Sequence, residues 1–339
     1  MVSRVTAVVL TYDGRDLLDI LIPSLRAQRY SDMSIVIVDN GSSDGTAGHV
    51  NERWPDARLI EIPVNIGVAA ALNRGVRAAD GEYVALLNND LELEPDWLGA
   101  LVGVLDRHPE AASATGKLLN FHRRRELDAA GDLMRWSGAP DQRGHGEPDR
   151  GQYDDAVAVF SPCAGAALYR RSSFDAVGLF DEDFFAYMED IDWGFRAQLA
   201  GFASRYEPAA VAYHVGGATT AREPGRYVAL QRRNQILLVL KNYPLAALVR
   251  HAPAILLHQA GWVASSRRDG VLREHVAALR SAARAVPGTV RKRRPIQRGR
   301  RATVAQLTDV MSPEVYAGST PRERLRSMAR AAAPLLRRS

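Results

Sequence analysis

Three short stretches of this chain concentrate side chains that can do chemistry: Asn88-Asn89-Asp90, Glu189-Asp190-Ile191-Asp192-Trp193, and His214. A carboxylate at the end of an apolar strand, where Asp90 lies, can ligate a hard divalent cation, and such a cation can bridge a diphosphate. Asn and Asp after a strand are also ordinary turn formers, so the triplet alone leaves both readings open. Across residues 188–198, helical spacing pairs Asp192 with Arg196 at i,i+4. It also puts Asp190 about 200° around the helix from Asp192, so the two carboxylates have different surroundings. An acid in a first helical turn is kept ionised by the positive end of the helix dipole. That suits Asp190 to accept a proton from an attacking hydroxyl; the alternative is that Glu189 and Asp190 only decorate a helix N-terminus. His214 closes an apolar run before Gly216-Gly217. It is either structural or, as a neutral imidazole beside a carboxylate, a ligand favouring Mn2+ over Mg2+.

These residues can cooperate only if the elements between them bring them together. Residues 5–10 are a short apolar run of buried-strand type, and residues 16–28 carry Leu17, Leu18, Leu21, Ile22 and Leu25 at helical spacing. Residues 35–38 form a second strand, closed by turn formers and N-caps from Asp39 to Thr46. A helix to about residue 54, a strand near 59–62, a helix over 68–79 and a strand over 83–87 come next. Pro95 then stands at the first turn of a helix running to His108. Alternating strand and helix predicts an α/β fold with a mainly parallel sheet covered on both faces. Ligands of such sheets bind beyond the carboxyl ends of the strands. Thr11-Tyr12-Asp13, Asp39-Asn40, Asn65 and Asn88-Asn89-Asp90 all succeed apolar strands and should converge there.

Residues 117–160 are too polar for a core and read as an extended loop or hairpin over the site. Order resumes over 157–169, then at a helix carrying Glu189-Asp190-Ile191-Asp192-Trp193 and at the strand-like 209–214, and from Tyr227 onward the chain reads as largely helical. Residues 245–264 are apolar but interrupted by Arg250, His251, Pro253 and His258, so a membrane span is not expected. The two histidines and Arg250 fall within about 100° of one another, opposite Leu245, Leu248, Val249, Ile255, Leu256 and Val263. That pattern fits an in-plane amphipathic helix beside Arg267-Arg268 or a helix packed on the catalytic domain, with Pro253 expected to kink or restart it. The run Arg291-Lys292-Arg293-Arg294 and the stretch C-terminal to it are expected to be flexible.

The 339 residues are 46% hydrophobic and 24% charged, which excludes global disorder and fits one large domain or two. Cys163 is the single cysteine, so neither an internal disulfide nor a Cys-based zinc site is possible. No charged n-region with a cleavage site precedes residues 5–10, and a reducing, cytoplasmic compartment is expected. Charge is divided: residues 1–220 hold 20 Lys/Arg and 33 Asp/Glu, residues 221–339 hold 24 and 6. The basic part points to an anionic surface, either membrane lipid or nucleic acid, or else serves solubility. It lacks the aromatic interleaving expected for base stacking.

Taken in order, these motifs resemble glycosyltransferase family 2, and among its members the rhamnosyltransferase-like ones. The resemblance runs from Val8-Val9-Leu10-Thr11-Tyr12 through Ile37-Val38-Asp39-Asn40-Gly41-Ser42-Ser43-Asp44-Gly45-Thr46, Asn65-Ile66-Gly67 and Leu86-Leu87-Asn88-Asn89-Asp90. It continues through Gly178-Leu179-Phe180-Asp181-Glu182-Asp183-Phe184-Phe185 and Glu189-Asp190-Ile191-Asp192 to His214 and Arg233-Asn234. It implies a GT-A fold, a Rossmann-like mainly parallel sheet flanked by helices, with a C-terminal helical extension. The catalytic domain would span 1–220, with its nucleotide-sugar half at about 1–116 and its acceptor half at about 117–220. Residues 221–339 would be the basic extension.

By resemblance, Thr11, Tyr12 and Asp39 meet the nucleoside of a donor, Asn65 and Arg74 lie near the nucleotide and diphosphate, and Asn88 and Asn89 belong to the same donor site. Asp90 matches the last aspartate of the family's D-x-D metal motif, from which Asn88 departs, and His214 matches a later ligand of Mn2+ or Mg2+. Asp190, preceded by Glu189, matches the catalytic base; Tyr187 and Trp193, near it in sequence, can stack on an acceptor sugar or belong to the core. The implied reaction is an inverting transfer from a dTDP- or UDP-linked sugar to a hydroxyl of a glycan or lipid-linked acceptor, peripherally on the inner face of the cell membrane. Alternatives are a polyprenyl-phosphate sugar synthase and a non-catalytic nucleic-acid or anionic-surface binder. Nucleotidyl transfer would need a Gly-rich, basic phosphate loop after the first strand, and Thr11-Tyr12-Asp13-Gly14 supplies none.

Overall fold

The computed structural model describes residues 3–163, 165–216 and 224–313. At its centre β1 (Val5–Thr11) pairs in parallel with β2 (Met33–Asn40) on one side and β4 (Tyr83–Asn88) on the other, and β3 (Arg58–Ile62) extends the sheet beyond β2. All seven residues of β1 are buried, as the uninterrupted apolar run required. Successive side chains alternate between two cores. Val9 packs with α1 (Arg15–Arg26), α2 (Thr46–Arg53) and α4 (Trp97–Arg107), and Val8 with α3 (Val68–Ala78), α5 (Arg171–Val177) and α6 (Glu189–Leu199).

Beyond β4 the ten-stranded sheet continues through β11 (Ala166–Arg170), β6 (Ala111–Asn120), β12 (Ala203–His214) and β10 (Val157–Val159). β11 is antiparallel to both β4 and β6, so β6, and with it β12, again runs in the direction of β1. The carboxyl ends of β1, β2, β4, β6 and β12 therefore share one edge. There β12 also pairs with the short β5 (Leu91–Leu93), placing His214 opposite both Leu91 and Asn120. The stretch expected to be an extended loop or hairpin over the site contains short strands: β7 (Leu127–Ala129) on β6, and the antiparallel hairpin of β8 (Asp132–Met134) with β9 (Pro140–Gln142), whose residues line the cleft described below. Buried Lys117 anchors it through Asp149, at 3.0 Å, and Asp154.

The C-terminal part is helical: α7 (Pro224–Asn242), α8 (Leu245–Arg268), α9 (Leu272–Arg298) and α10 (Val304–Asp309). Two expectations bear on these helices. Pro253 does not restart α8, which runs unbroken through it; the proline removes one N–H partner from Val249, a residue on the solvent side. The basic run 291–294 is not flexible but lies inside α9, where Arg293 Nη1 donates to Leu240 O at 2.8 Å and Lys292 reaches Asp181 and Asp183. No helix among the described residues is long and apolar enough to cross a membrane.

The helix α8 turns its two histidines inward, with Leu248 and Ile255 also against the core, and leaves Arg250 exposed. His251 is buried and stacked on Trp136, and His258 packs on Trp262, over whose ring Arg232 also lies. Burial, reinforced by the charges of Arg250 and Arg232 respectively, pushes both imidazoles down to about 4 and keeps them neutral. Leu245, Val249 and Leu256 face outward, each about 70% exposed.

Buried ion pairs fasten this helical part to α6. Lys241 Nζ donates to Asp181 Oδ2 at 2.6 Å and to Asp192 Oδ2 at 2.8 Å; Arg196 Nε reaches the same oxygen of Asp192 at 2.9 Å, and Asn242 Nδ2 the other at 2.8 Å. Burial alone would raise the Asp192 carboxyl, but the charges of Lys241 and Arg196 outweigh it and hold it below its usual range. Replacing Lys241 with Met removes the cation shared by two buried carboxylates, leaving Asp181 to Lys292 and Asp192 to Arg196 and Asn242, and should cost about 1–3 kcal/mol in urea unfolding. Because the folded-state values of Asp181 and Asp192 are depressed, this stabilisation is complete above about pH 4 and is lost as pH falls through the folded values. The wild-type urea midpoint should fall with pH there, and that of Lys241→Met much less.

Candidate active site

A cleft of about 740 Å³ opens at the shared carboxyl edge of the sheet. Tyr12 and Asp13 reach it from β1, Asn40 from β2, Asn65 and Gly67 from the turn before α3, and Asn88, Asn89 and Asp90 from β4. These loops hold one another. Asn40 Nδ2 donates to Asn65 Oδ1 at 3.2 Å, while Asn40 Oδ1 accepts from Ile66 N at 3.0 Å. Gly41 has φ +83°, and a Cβ there would stand 2.6 Å from Asn65 N, so only glycine lets the two turns touch. Asn89 Nδ2 donates to Thr11 Oγ1 at 2.9 Å, which puts buried Thr11 behind the wall. Asp39 is buried too, accepting Ser42 N at 3.0 Å, and Arg74 is exposed on α3; none of these three lines the cleft.

Asp90 and His214 meet although 124 positions separate them: His214 Nε2 lies 3.2 Å from Asp90 Oδ2, and its Nδ1 lies 2.8 Å from Asp128 Oδ2. Burial alone would favour neutral His214, but the hydrogen bonds to Asp128 and Asp90 outweigh it and push the imidazole up to about 10. Between two carboxylates the imidazole is a cation, and the neutral form expected of a metal ligand requires that it give up this proton. Asp90 Oδ1 is buried with no hydrogen-bond partner among the described residues. An orphaned carboxylate oxygen beside an imidazole fits a hard divalent cation, whose arrival would displace the His214 proton. Among the described residues no cluster of three or more His, Cys, Asp or Glu is arranged to hold an ion alone, so the remaining positions would fall to water and substrate oxygens. No motif in the sequence marks Asp128. It fixes the ring from its far nitrogen, the usual support of a metal-binding histidine.

Across the cleft α6 begins after a turn in which Phe185, Tyr187 and Met188 all have φ between +64° and +69°. That left-handed region is costly for such side chains, and neighbours must impose it. Asn234 of α7 does so: its Nδ2 lies within 2.8–2.9 Å of the carbonyls of Phe184, Ala186 and Tyr187. The turn presents Asp190, Glu189 and Tyr187 to the cleft, with Tyr187 edge-on to Tyr227 at 4.8 Å. Glu189 is buried, and burial together with the charge of Asp190 pushes its carboxyl well up, toward the neutral form. Trp193 does not reach the cleft. It is fully buried, packs on Tyr169 and Phe174, and donates its indole N–H to Gly178 O at 2.9 Å. It is a core residue rather than an acceptor platform. The lining also includes Asp132 from β8 and Arg226, Tyr227 and Gln231 from α7, four positions that no sequence motif marks.

A parallel sheet with a polar cleft at its carboxyl edge, facing carboxylates on two separate elements, defines the class, and comparison with known proteins agrees. The family model described as Glycosyl transferase family 2 matches residues 6–178. The chain belongs to that family and is a glycosyltransferase. It is similar to the N-acetylglucosaminyl-diphospho-decaprenol L-rhamnosyltransferase of Mycobacterium tuberculosis, 28% identical over 270 residues, covering 72% of this chain and 86% of that protein. It is also similar to the O-antigen biosynthesis protein RfbC of Myxococcus xanthus, 31% identical over 58% of this chain but only 16% of that one. Among solved structures, the mannosyltransferase PcManGT of Pyrobaculum calidifontis, in complex with GDP-Man and Mn2+, superposes with a TM-score of 0.51 at 19% identity, over 99% of this chain and 88% of that one. GalNAc-T7 with UDP, GalNAc and Mn2+ gives 0.56 at 14% identity, over 71% and 48%. At these identities the likeness shows the GT-A fold.

Replacing Asp128 with Ala should remove the support of His214 and weaken Mn2+ binding about 10–100-fold, as titration calorimetry with a nucleoside diphosphate present would measure.

Proposed function

We propose that this chain is an inverting, divalent-metal-dependent hexosyltransferase. It would move rhamnose or another hexose from a dTDP- or UDP-linked donor to a hydroxyl of a glycan or lipid-linked acceptor. The observation that carries this reading is the division of labour in one cleft: Asp90 and His214 stand at strand ends, and Asp190 stands on a separate helix. Asn40, Asn65 and Asn89 shape the donor side. An acceptor hydroxyl entering beside Tyr187 would attack the anomeric carbon from the face opposite the diphosphate, and Asp190 would take its proton. Asp90 and His214 would hold Mn2+ or Mg2+, which supplies positive charge for the departing diphosphate. The relative from Mycobacterium tuberculosis, named for transfer to a diphospho-decaprenol-linked sugar, supports a lipid-linked acceptor.

A lipid-linked acceptor calls for a membrane surface, and the basic helices fit one. The outward stripe of α8 carries Leu245, Val249, Leu256 and Leu257, and the exposed side of α9 carries Leu272, Val276 and Leu279. Arg250, Arg267, Arg273, Arg280 and Arg284 are exposed among them; α8 has no Asp or Glu and α9 has only Glu274. Apolar side chains flanked by arginines match the boundary of an anionic leaflet.

Asp190→Asn should lower transfer at least about 100-fold with donor binding retained, as a panel of nucleotide sugars with Mn2+ would show. A phosphate acceptor has no proton to give up at neutral pH, so an undiminished rate would favour the polyprenyl-phosphate synthase. In flotation with phosphatidylglycerol vesicles, the double variant Val249→Asp/Leu256→Asp should lose about tenfold or more in binding, and phosphatidylcholine vesicles should bind neither protein well. Salt-sensitive binding to DNA but not to vesicles would instead favour a nucleic-acid partner.

A further inference from the structure

The reading of Asp190 as base leaves a second carboxyl group in the same wall without an assigned role. Asp132 lines the cleft but is only 4% exposed. Its main chain is fixed on two sides: it stands opposite Gln142 in the β8–β9 pair, and on the other side its N–H donates to Ser161 O while its carbonyl accepts from Phe160 N, both at 3.2 Å. Ser161 is also in close contact with α6. A Cβ added to Gly194 would stand 2.2 Å from Ser161 Cβ, so the helix can lie there only because residue 194 is glycine. Gly194 lies four residues after Asp190 and shares its helix face. Ser161 Oγ in turn reaches toward Asp132 Oδ2, at 3.5 Å. The face of the helix that carries the base is thus pressed against the residue that holds Asp132.

We infer that Asp132 is a positioning residue for the base, a carboxyl group that keeps its proton beside Asp190 so that the pair carries one negative charge, on Asp190. The inference rests on the reading of Asp190 given above. Among the described residues no Lys, Arg or His pairs with Asp132. The titratable groups facing it among the described residues are Asp190 from α6, Asp128 from β7 and Asp141 from β9, with the Cys163 thiol and Tyr169 on the sheet side. Burial first, and then the charge of Asp190, push its carboxyl well above the usual range. Two carboxylates confined together share a proton, and the more buried one, with no cation to hold its charge, keeps it.

In the transfer step the acceptor O–H bond breaks and its proton passes to Asp190. The oxygen bonds to the anomeric carbon, and the bond from that carbon to the diphosphate oxygen breaks, its electron pair leaving with the diphosphate. Both carboxyl groups are then protonated until Asp190 returns one proton to solvent. An ionised Asp132 would add a second negative charge beside Asp190, tighten its hold on the captured proton and slow the return of that proton to solvent.

The test uses the full chain, with Asp132→Asn as a neutral near-isostere and Asp132→Ser as a second neutral variant should the first fail to fold. Infrared difference spectra at pH 7 should show a protonated carboxyl band in wild type that is missing from the variant, with a similar band from Glu189 present in both. The pH profile of kcat/KM in wild type should fall on the alkaline side as Asp132 loses its proton. In Asp132→Asn that limb should be absent, while the acidic limb set by Asp190 remains. Identical infrared bands, superimposable pH profiles, or loss of more than about 100-fold at every pH in a folded variant would each overturn the inference. If Asp190→Asn stays fully active while the Asp132 band is present, the base assignment fails and the protonation of Asp132 stands on its own.

Discussion

Strands β1, β2, β4, β6 and β12 all run in one direction, and the position of every reactive group stems from that. A parallel strand cannot be joined by a hairpin to its neighbour; the chain must cross over and return. Each return ends at the same edge, so residues far apart in sequence are delivered side by side. The pairing of β12 with β6 and β5 is the decisive case, because it is what sets His214 against Asp90. The apolar interior of each strand fixes its depth, and the polar residue at its end has nowhere to go but the cleft.

The helical C-terminal part takes over where the sheet stops. Asn234 imposes the left-handed turn that aims Asp190 and Glu189, and Lys241 neutralises the charge of Asp192 on the opposite side of the same helix. Both come from α7, which also contributes Tyr227 and Gln231 to the wall. Asp190 is therefore set by two elements that meet only in the folded protein, and acidic groups gather on its side of the cleft: Asp132 and Glu189 feel its charge, and Asp128 and Asp141 face Asp132. Burial resolves the crowding by keeping some of these groups neutral.

Local signals carried much of this into the sequence. The alternation of apolar strands and amphipathic helices over the first hundred residues is short-range, and the structure matches it closely, including the polar triplets at the strand ends. The opposite surroundings of Asp190 and Asp192 were also legible, because helical geometry alone separates them. Asp128 and Asp132 were hidden in a polar, glycine-rich stretch whose strands are too short to have a readable period. The charge on His214 depends on Asp128, and so it was hidden as well. Trp193 shows the complementary ambiguity: an aromatic beside acidic residues fits a sugar platform or a core, and only its position on the helix relative to Tyr169 and Phe174 decides.

The outward leucines of α8 set the terms on which this protein can be handled. Away from any bilayer, Leu245, Val249 and Leu256 confront water beside a dense set of arginines. Like-charge repulsion among those arginines then keeps one molecule from sticking to the next through its greasy ridge. Raising the ionic strength screens the repulsion and leaves the ridge unchanged. A dilute buffer or a mild detergent suits this chain better than the concentrated salt commonly used to keep basic proteins dispersed.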